Sequence, residues 1–173
     1  MKPIDRRSIR AKFINYSEKG YYFITIKTYR NQPLFGYIHQ GEMQTNPAGN
    51  MIESALIKIV NDFKELQCHH YIIMPDHLHF IFQLTQKMDI EIISSNTIQT
   101  PKGVQICIQR FKSFSTNLYI KVVNKGIFSP FRYKLWHRNY YERLIRSERE
   151  LKNVINYIQN NPRNWENDIF TTC

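Results

Sequence analysis

His77 and His79, two residues apart, are the first candidates for chemistry in this chain of 173 residues. They lie in HLHFIFQL (77–84), where Leu78, Phe80, Phe82 and Leu84 are all apolar. In a strand, residues two apart share a face. Both imidazoles then leave the side opposite the apolar set and can reach one ion. Two histidines are too few for a closed structural zinc site, which takes four ligands. An open site that polarises a phosphoryl oxygen suits them better. Two ordinary exposed strand histidines would give the same spacing. Asp76 adjoins the pair and fits an orienting role rather than a ligating one.

Tyr157 is the second candidate. It flanks the apolar stripe of Leu151, Val154, Ile155 and Ile158, and Asn161 follows one helical turn later. A phenol and an amide oxygen at that spacing can face one target, although a tyrosine at a core margin has the same pattern. A phenol, with a pKa of about 10, leaves phosphate more readily than an aliphatic alcohol. A phosphotyrosine link is therefore reversible, and covalent catalysis would divide one transfer into two steps.

A third group mixes cations and aromatic rings between Phe131 and Arg146. Arg132, Lys134, Trp136, Arg138, Tyr140 and Arg143 are its DNA-binding candidates. Cations neutralise phosphates and aromatic faces stack unpaired bases; a half-buried strand with solvated charges is the alternative. His69 and His70 are read as structural, because neighbouring strand residues face opposite ways.

Several elements must position these groups. YYFITIKTY after Gly20 favours a strand, and LFGYI (34–38) could return beside it as a hairpin. Residues 41–50 read as a loop. Apolar spacing predicts a helix over 51–63. LQCHHYIIM (66–74) and HLHFIFQL (77–84), divided by Pro75-Asp76, predict a hairpin. After a connecting loop at 86–102, a second helix is expected from Val104 to about Val123, then a strand within 135–146. Ser147 with Glu150 forms a capping box that opens the last helix, and Pro162 bounds it. Antiparallel strands and helices in this order suggest an α+β fold, ferredoxin-like, with the helices packed on one face of the sheet. Residues 1–19 read as a basic arm, 20–165 as one domain and 166–173 as a short tail.

The formal charge of +10 points to a polyanion, most simply nucleic acid. Three scattered cysteines form no C-x-x-C pair, which argues against a disulfide scaffold and fits a reducing cytoplasm. No long apolar run follows the N-terminal charges and none elsewhere would span a membrane, so neither a secretory signal nor a membrane partner is expected.

PDHLHF (75–80) resembles the His-hydrophobic-His motif of the single-tyrosine transposases. YYERLIRSERELKNVINYIQNNP (140–162) is similar to the C-terminal block of the REP-associated tyrosine transposases. The resemblance covers roughly residues 20–165. It implies a ferredoxin-like core, Tyr157 as nucleophile, and a metal site of His77 and His79 completed by Asn161. The implied ion is Mg²⁺ or Mn²⁺, and the implied substrate is single-stranded DNA carrying a hairpin. Cleavage would leave a 5′-phosphotyrosine and a free 3′-hydroxyl. The expected location is nucleoid-associated in the cytoplasm, and both a homodimer and a monomer fit the resemblance. Two other readings share the surface: a catalytically silent protein that binds repeat hairpins, and a phosphodiesterase that uses water.

Overall fold

The computed structural model describes residues 17–88 and 103–167. The expected arm (apart from 17–19), most of the connecting loop and residues 168–173 lie outside them.

Four strands form one antiparallel sheet: β1 (Gly20–Lys27), β4 (Leu66–Ile73), β5 (His77–Leu84) and β6 (Tyr141–Ile145). Their order is β4-β5-β1-β6. Burial explains the order. β1 and β5 are apolar or buried along most of their length and occupy the centre, whereas β4 alternates between covered and open residues at an edge. Helix α1 (Pro47–Asn61) connects β1 to β4, and α2 (Val104–Val123) connects β5 to β6. In each case one strand lies between the two that are joined. These are two split β-α-β units, the ferredoxin-like arrangement that the sequence suggests.

Tyr22, Ile24 and Ile26 of β1 join Leu78, Phe80, Phe82 and Leu84 of β5 on one face of the sheet. They pack against Ile52, Leu56 and Ile59 of α1 and against Cys107 and Phe111 of α2. Burying each large apolar side chain contributes about 1.5–3 kcal/mol, so this layer dominates stability.

The expectation that all helices share one face needs correction. Helix α3 (Glu148–Asn160) covers the opposite face. There Leu151, Val154, Ile155 and Ile158 pack on Phe23, Ile81 and Ile145. Those three strand residues present a second, smaller apolar patch, and the apolar stripe of α3 meets it. The serine half of the capping box forms: Ser147 Oγ accepts from the Glu150 N–H at 3.2 Å. The Glu150 carboxylate accepts from the Arg146 N–H at 2.9 Å.

Two local expectations also change. Residues 34–38 do not pair with β1. Instead β2 (Gly36–His39) pairs with β3 (Glu42–Thr45) as a separate hairpin. Gly36 allows it, since a Cβ there would stand 2.1 Å from the Gln44 carbonyl oxygen. Helix α1 begins earlier than expected, because Asn46 caps it through a 2.9 Å bond from the Gly49 N–H and Pro47 opens its first turn. No helix among the described residues is long and apolar enough to cross a membrane.

Candidate active site

The Pro75-Asp76 turn fixes where β5 begins. The Met74 N–H donates to the His77 carbonyl at 2.8 Å and closes the turn. From outside, the Thr28 N–H donates to the Asp76 carbonyl at 2.8 Å, and the Phe35 N–H to the Pro75 carbonyl at 3.0 Å. His77 therefore enters the sheet in a pinned backbone.

Both histidines are wholly buried, at 0% exposure, which removes the reading of them as open surface residues. Each ring is held at Nδ1. Asp76 Oδ1 lies 2.6 Å from His77 Nδ1. Thr25, the cross-strand partner of His79, places its hydroxyl 2.8 Å from His79 Nδ1. A carboxylate only accepts, so His77 carries its proton on Nδ1 and presents a lone pair at Nε2. The two Nε2 atoms face each other at 2.9 Å.

Helix α3 brings the phenol to the same point. Tyr157 Oη lies 3.2 Å from His79 Nε2, across 78 residues of sequence. Phe23 stacks on the His79 ring at 5.5 Å and meets Tyr157 edge-on at 6.0 Å. Asn161 is buried at the C-cap of α3, one turn beyond Tyr157. A short 3-10 segment, Pro162–Asn167, then turns back, and Trp165 stacks on His77 at 5.7 Å. Tyr157 and Trp165 thus touch the histidine pair from both sides of Asn161 in sequence.

Three participants escape a reading of the sequence. Thr25 and Phe23 join only through the β1–β5 register, which has no local signature. Lys27 stands opposite His77 in that register, and its Nζ is shielded from solvent without a hydrogen bond among the described residues.

The cation-aromatic stretch divides in two. Trp136 is core, not a base-stacking surface: it is 5% exposed, packs on Phe35 and Phe111, and donates from Nε1 to Ser115 Oγ at 2.9 Å. Tyr140 packs against the core margin, with the Lys112 ammonium 5.1 Å from its ring. Arg143 pairs with Glu150 at 2.6 Å. Arg132, Lys134 and Arg138 are exposed. Lys134 and Arg138 line a groove of about 450 Å³ against α2.

His69 and His70 do not face opposite ways. A register shift between Cys68 and His70 interrupts the alternation, and the two rings stack at 4.8 Å with their Nδ1 atoms 2.7 Å apart. Burial, then the neighbouring His69, pull the His70 pKa below its usual value.

No family model matches the chain. An uncharacterized protein of Haemophilus influenzae is 35% identical over 171 residues, covering 94% of this chain and 91% of that protein. A second H. influenzae protein, assigned by name to the REP-associated tyrosine transposases, is 29% identical over 120 residues, covering 64% of this chain and 62% of its own. The solved structure of a REP-associated tyrosine transposase bound to a REP hairpin shares the fold, with a TM-score of 0.60 at 17% identity over 91% of this chain and 74% of that one. Sequence and fold point the same way: the chain is similar in sequence to a REP-associated tyrosine transposase and shares its fold with another.

Proposed function

We propose that this pocket cuts and rejoins single-stranded DNA that carries a hairpin, with Tyr157 as the nucleophile. One observation carries the reading: a phenol from the last helix lies 3.2 Å from an imidazole of the central strand, within a pair of facing Nε2 atoms. A structural role for Tyr157 would not require two buried histidines whose other nitrogens are each held by a polar neighbour. The REP hairpin bound by the structural neighbour supports hairpin DNA as the substrate class.

The residues fit a divalent ion. Cis ligands about 2.1 Å from an octahedral ion stand about 3 Å apart, close to the observed separation of 2.9 Å. Two imidazoles would leave the remaining positions of such an ion for oxygen ligands. His77 and His79 would hold Mg²⁺ or Mn²⁺, with the Asn161 amide oxygen as the third protein ligand. When bound, the ion would act as a Lewis acid on a phosphoryl oxygen.

The chain's own groups supply the rest. Tyr157 Oη forms a bond to phosphorus and the bond from phosphorus to the 3′-oxygen breaks. The phenol loses one proton and the 3′-oxygen gains one, so the exchange is proton-neutral. The products are a 5′-phosphotyrosine and a free 3′-hydroxyl, which can attack in reverse. Lys27, beside His77 and shielded from water, would meet the phosphate charge. Because both imidazoles are covered, an incoming phosphate must displace part of the lid formed by Tyr157 and Trp165.

The test uses a hairpin oligonucleotide with single-stranded flanks, labelled at its 3′ end, with Mg²⁺ or Mn²⁺. Label should migrate with denatured protein, and Tyr157→Phe should bind the DNA yet carry none. An adduct on the variant would move the nucleophile elsewhere. Cleavage without any adduct would favour water as nucleophile, and metal-independent binding without cleavage would favour a silent binding protein.

A further inference from the structure

A strained knuckle beside the pocket has no part in the chemistry above. The turn Tyr29–Asn31 leaves β1 and meets the segment 131–138: the Tyr29 N–H donates to the Leu135 carbonyl at 2.9 Å, and Thr28 bridges to Trp136. Gln32 staples the two. Its Oε1 accepts from the Arg132 N–H at 2.7 Å, and its Nε2 donates to the Tyr29 carbonyl at 2.6 Å.

Next to that staple the chain makes a γ-turn. The Lys134 N–H donates to the Arg132 carbonyl at 2.7 Å, and Tyr133 between them has φ +63°. A γ-turn with positive central φ is rare and strained. Arg30 and Asn31, on the facing turn, are also left-handed at φ +60° and +51°. Such conformations persist where the surroundings enforce them, and they concentrate at ligand sites.

The strain presents a ring to solvent. Tyr133 is 79% exposed, so core packing does not explain its conformation. The Arg30 guanidinium lies 5.4 Å from the Tyr29 ring and 5.3 Å from the Tyr133 ring, and the two rings meet edge-on at 6.2 Å. Arg132 and Lys134 flank the exposed ring in sequence. The location also fits: Thr28 is bonded to Asp76, and Lys27 stands opposite His77. The knuckle therefore continues the end of the sheet that holds the pocket.

We propose that Tyr133, backed by Arg30 and Tyr29, is a stacking platform for one unpaired base of the strand whose phosphate enters the pocket. Arg132 and Lys134 hold the phosphates on either side of that base. Every base has a π-face, so the platform distinguishes unpaired from paired nucleotides more than one base from another. The proposal rests on the single-strand reading of the pocket.

The experiment binds the full chain, with EDTA present, to a hairpin oligonucleotide whose flank carries 2-aminopurine at one position at a time. At one flank position binding should quench the fluorescence. Tyr133→Ala should abolish that quench and weaken binding about tenfold, while Tyr133→Trp keeps both. Tyr133→Gly should relieve the left-handed backbone and raise the melting temperature, yet also lose the quench; a purely structural tyrosine would not separate these effects. Wild-type affinity and quench in Tyr133→Ala overturn the platform while leaving the Tyr157 adduct assay untouched. Failure of the wild-type chain to bind any flanked hairpin overturns the platform and the DNA reading beneath it.

Discussion

Asp76 and His77 are sequence neighbours, and the carboxylate of the first accepts from Nδ1 of the second at 2.6 Å. The bond fixes the tautomer and the ring of His77, and it does so out of water. Asp76→Ala should therefore weaken Mn²⁺ binding about 10- to 100-fold while the fold survives. Isothermal titration calorimetry with Mn²⁺, alongside circular dichroism, measures both. Undiminished affinity would show that the carboxylate does not orient a ligand.

Thr25 plays the matching part for His79. Thr25→Val keeps the shape of the side chain and removes the hydroxyl that lies 2.8 Å from Nδ1. Adduct formation should fall about tenfold or more if ring orientation matters, by analogy with other outer-sphere partners. Single-turnover rates with saturating DNA give the answer, and an unchanged rate removes Thr25 from the site.

Lys27 should lower stability and support activity. Its Nζ is shielded and makes no hydrogen bond among the described residues, so holding a charge there should cost folding free energy. Lys27→Met should raise the melting temperature but slow cleavage. A variant that is both more stable and fully active would show that the ammonium does not meet the phosphate.

Trp136 and the exposed cations should respond differently to substitution. Trp136→Ala should cost about 3–5 kcal/mol of stability, as for other buried aromatic truncations. Arg132→Ala and Lys134→Ala should leave the denaturation midpoint nearly unchanged and each lower the salt dependence of DNA binding by about one phosphate contact. Chemical denaturation and binding across a salt series distinguish the two classes.

Burial pushes the thiols of Cys68 and Cys107 up to about 12. Thiolate is the reactive form and a free thiol titrates near about 8.5, so alkylation at pH 8 should be orders of magnitude slower than for a free cysteine. Raising the pH should accelerate it well past the point where a free thiol levels off. Cys107 should be slower than Cys68, which is half-buried on the edge strand. Mass spectrometry of a Cys173→Ser variant over time checks this; fast labelling of Cys107 would mean that the α2–sheet packing opens readily.

Much of this arrangement is legible locally. Alternation across 77–84 places His77 and His79 on one face and Leu78, Phe80 and Phe82 on the other, and the sheet packs them so, although β5 is buried on both faces. Ser147 and Glu150 declare the start of α3 in four residues. What is not legible depends on partners far away in sequence. Trp136 looks like a surface aromatic among cations until Phe35 and Phe111 close around it. The side of the sheet that α3 covers is set by Phe23, Ile81 and Ile145, which lie on three different strands. His69 and His70 obey no simple alternation because a single extra residue in β4 breaks the period. Asn46-Pro47 lies in a stretch that reads as a loop, and its role as the start of α1 emerges only once the hairpin before it is known.

The join between β6 and α3 is only Arg146 and Ser147 long. So brief a tether leaves the helix seated against Phe23 and Ile145 of its own sheet, with the phenol beside the imidazoles of the same chain. Each molecule should assemble this point by itself, so that dilution does not separate the phenol from the imidazoles. Labelling by a suicide oligonucleotide should accordingly approach one per chain at any protein concentration.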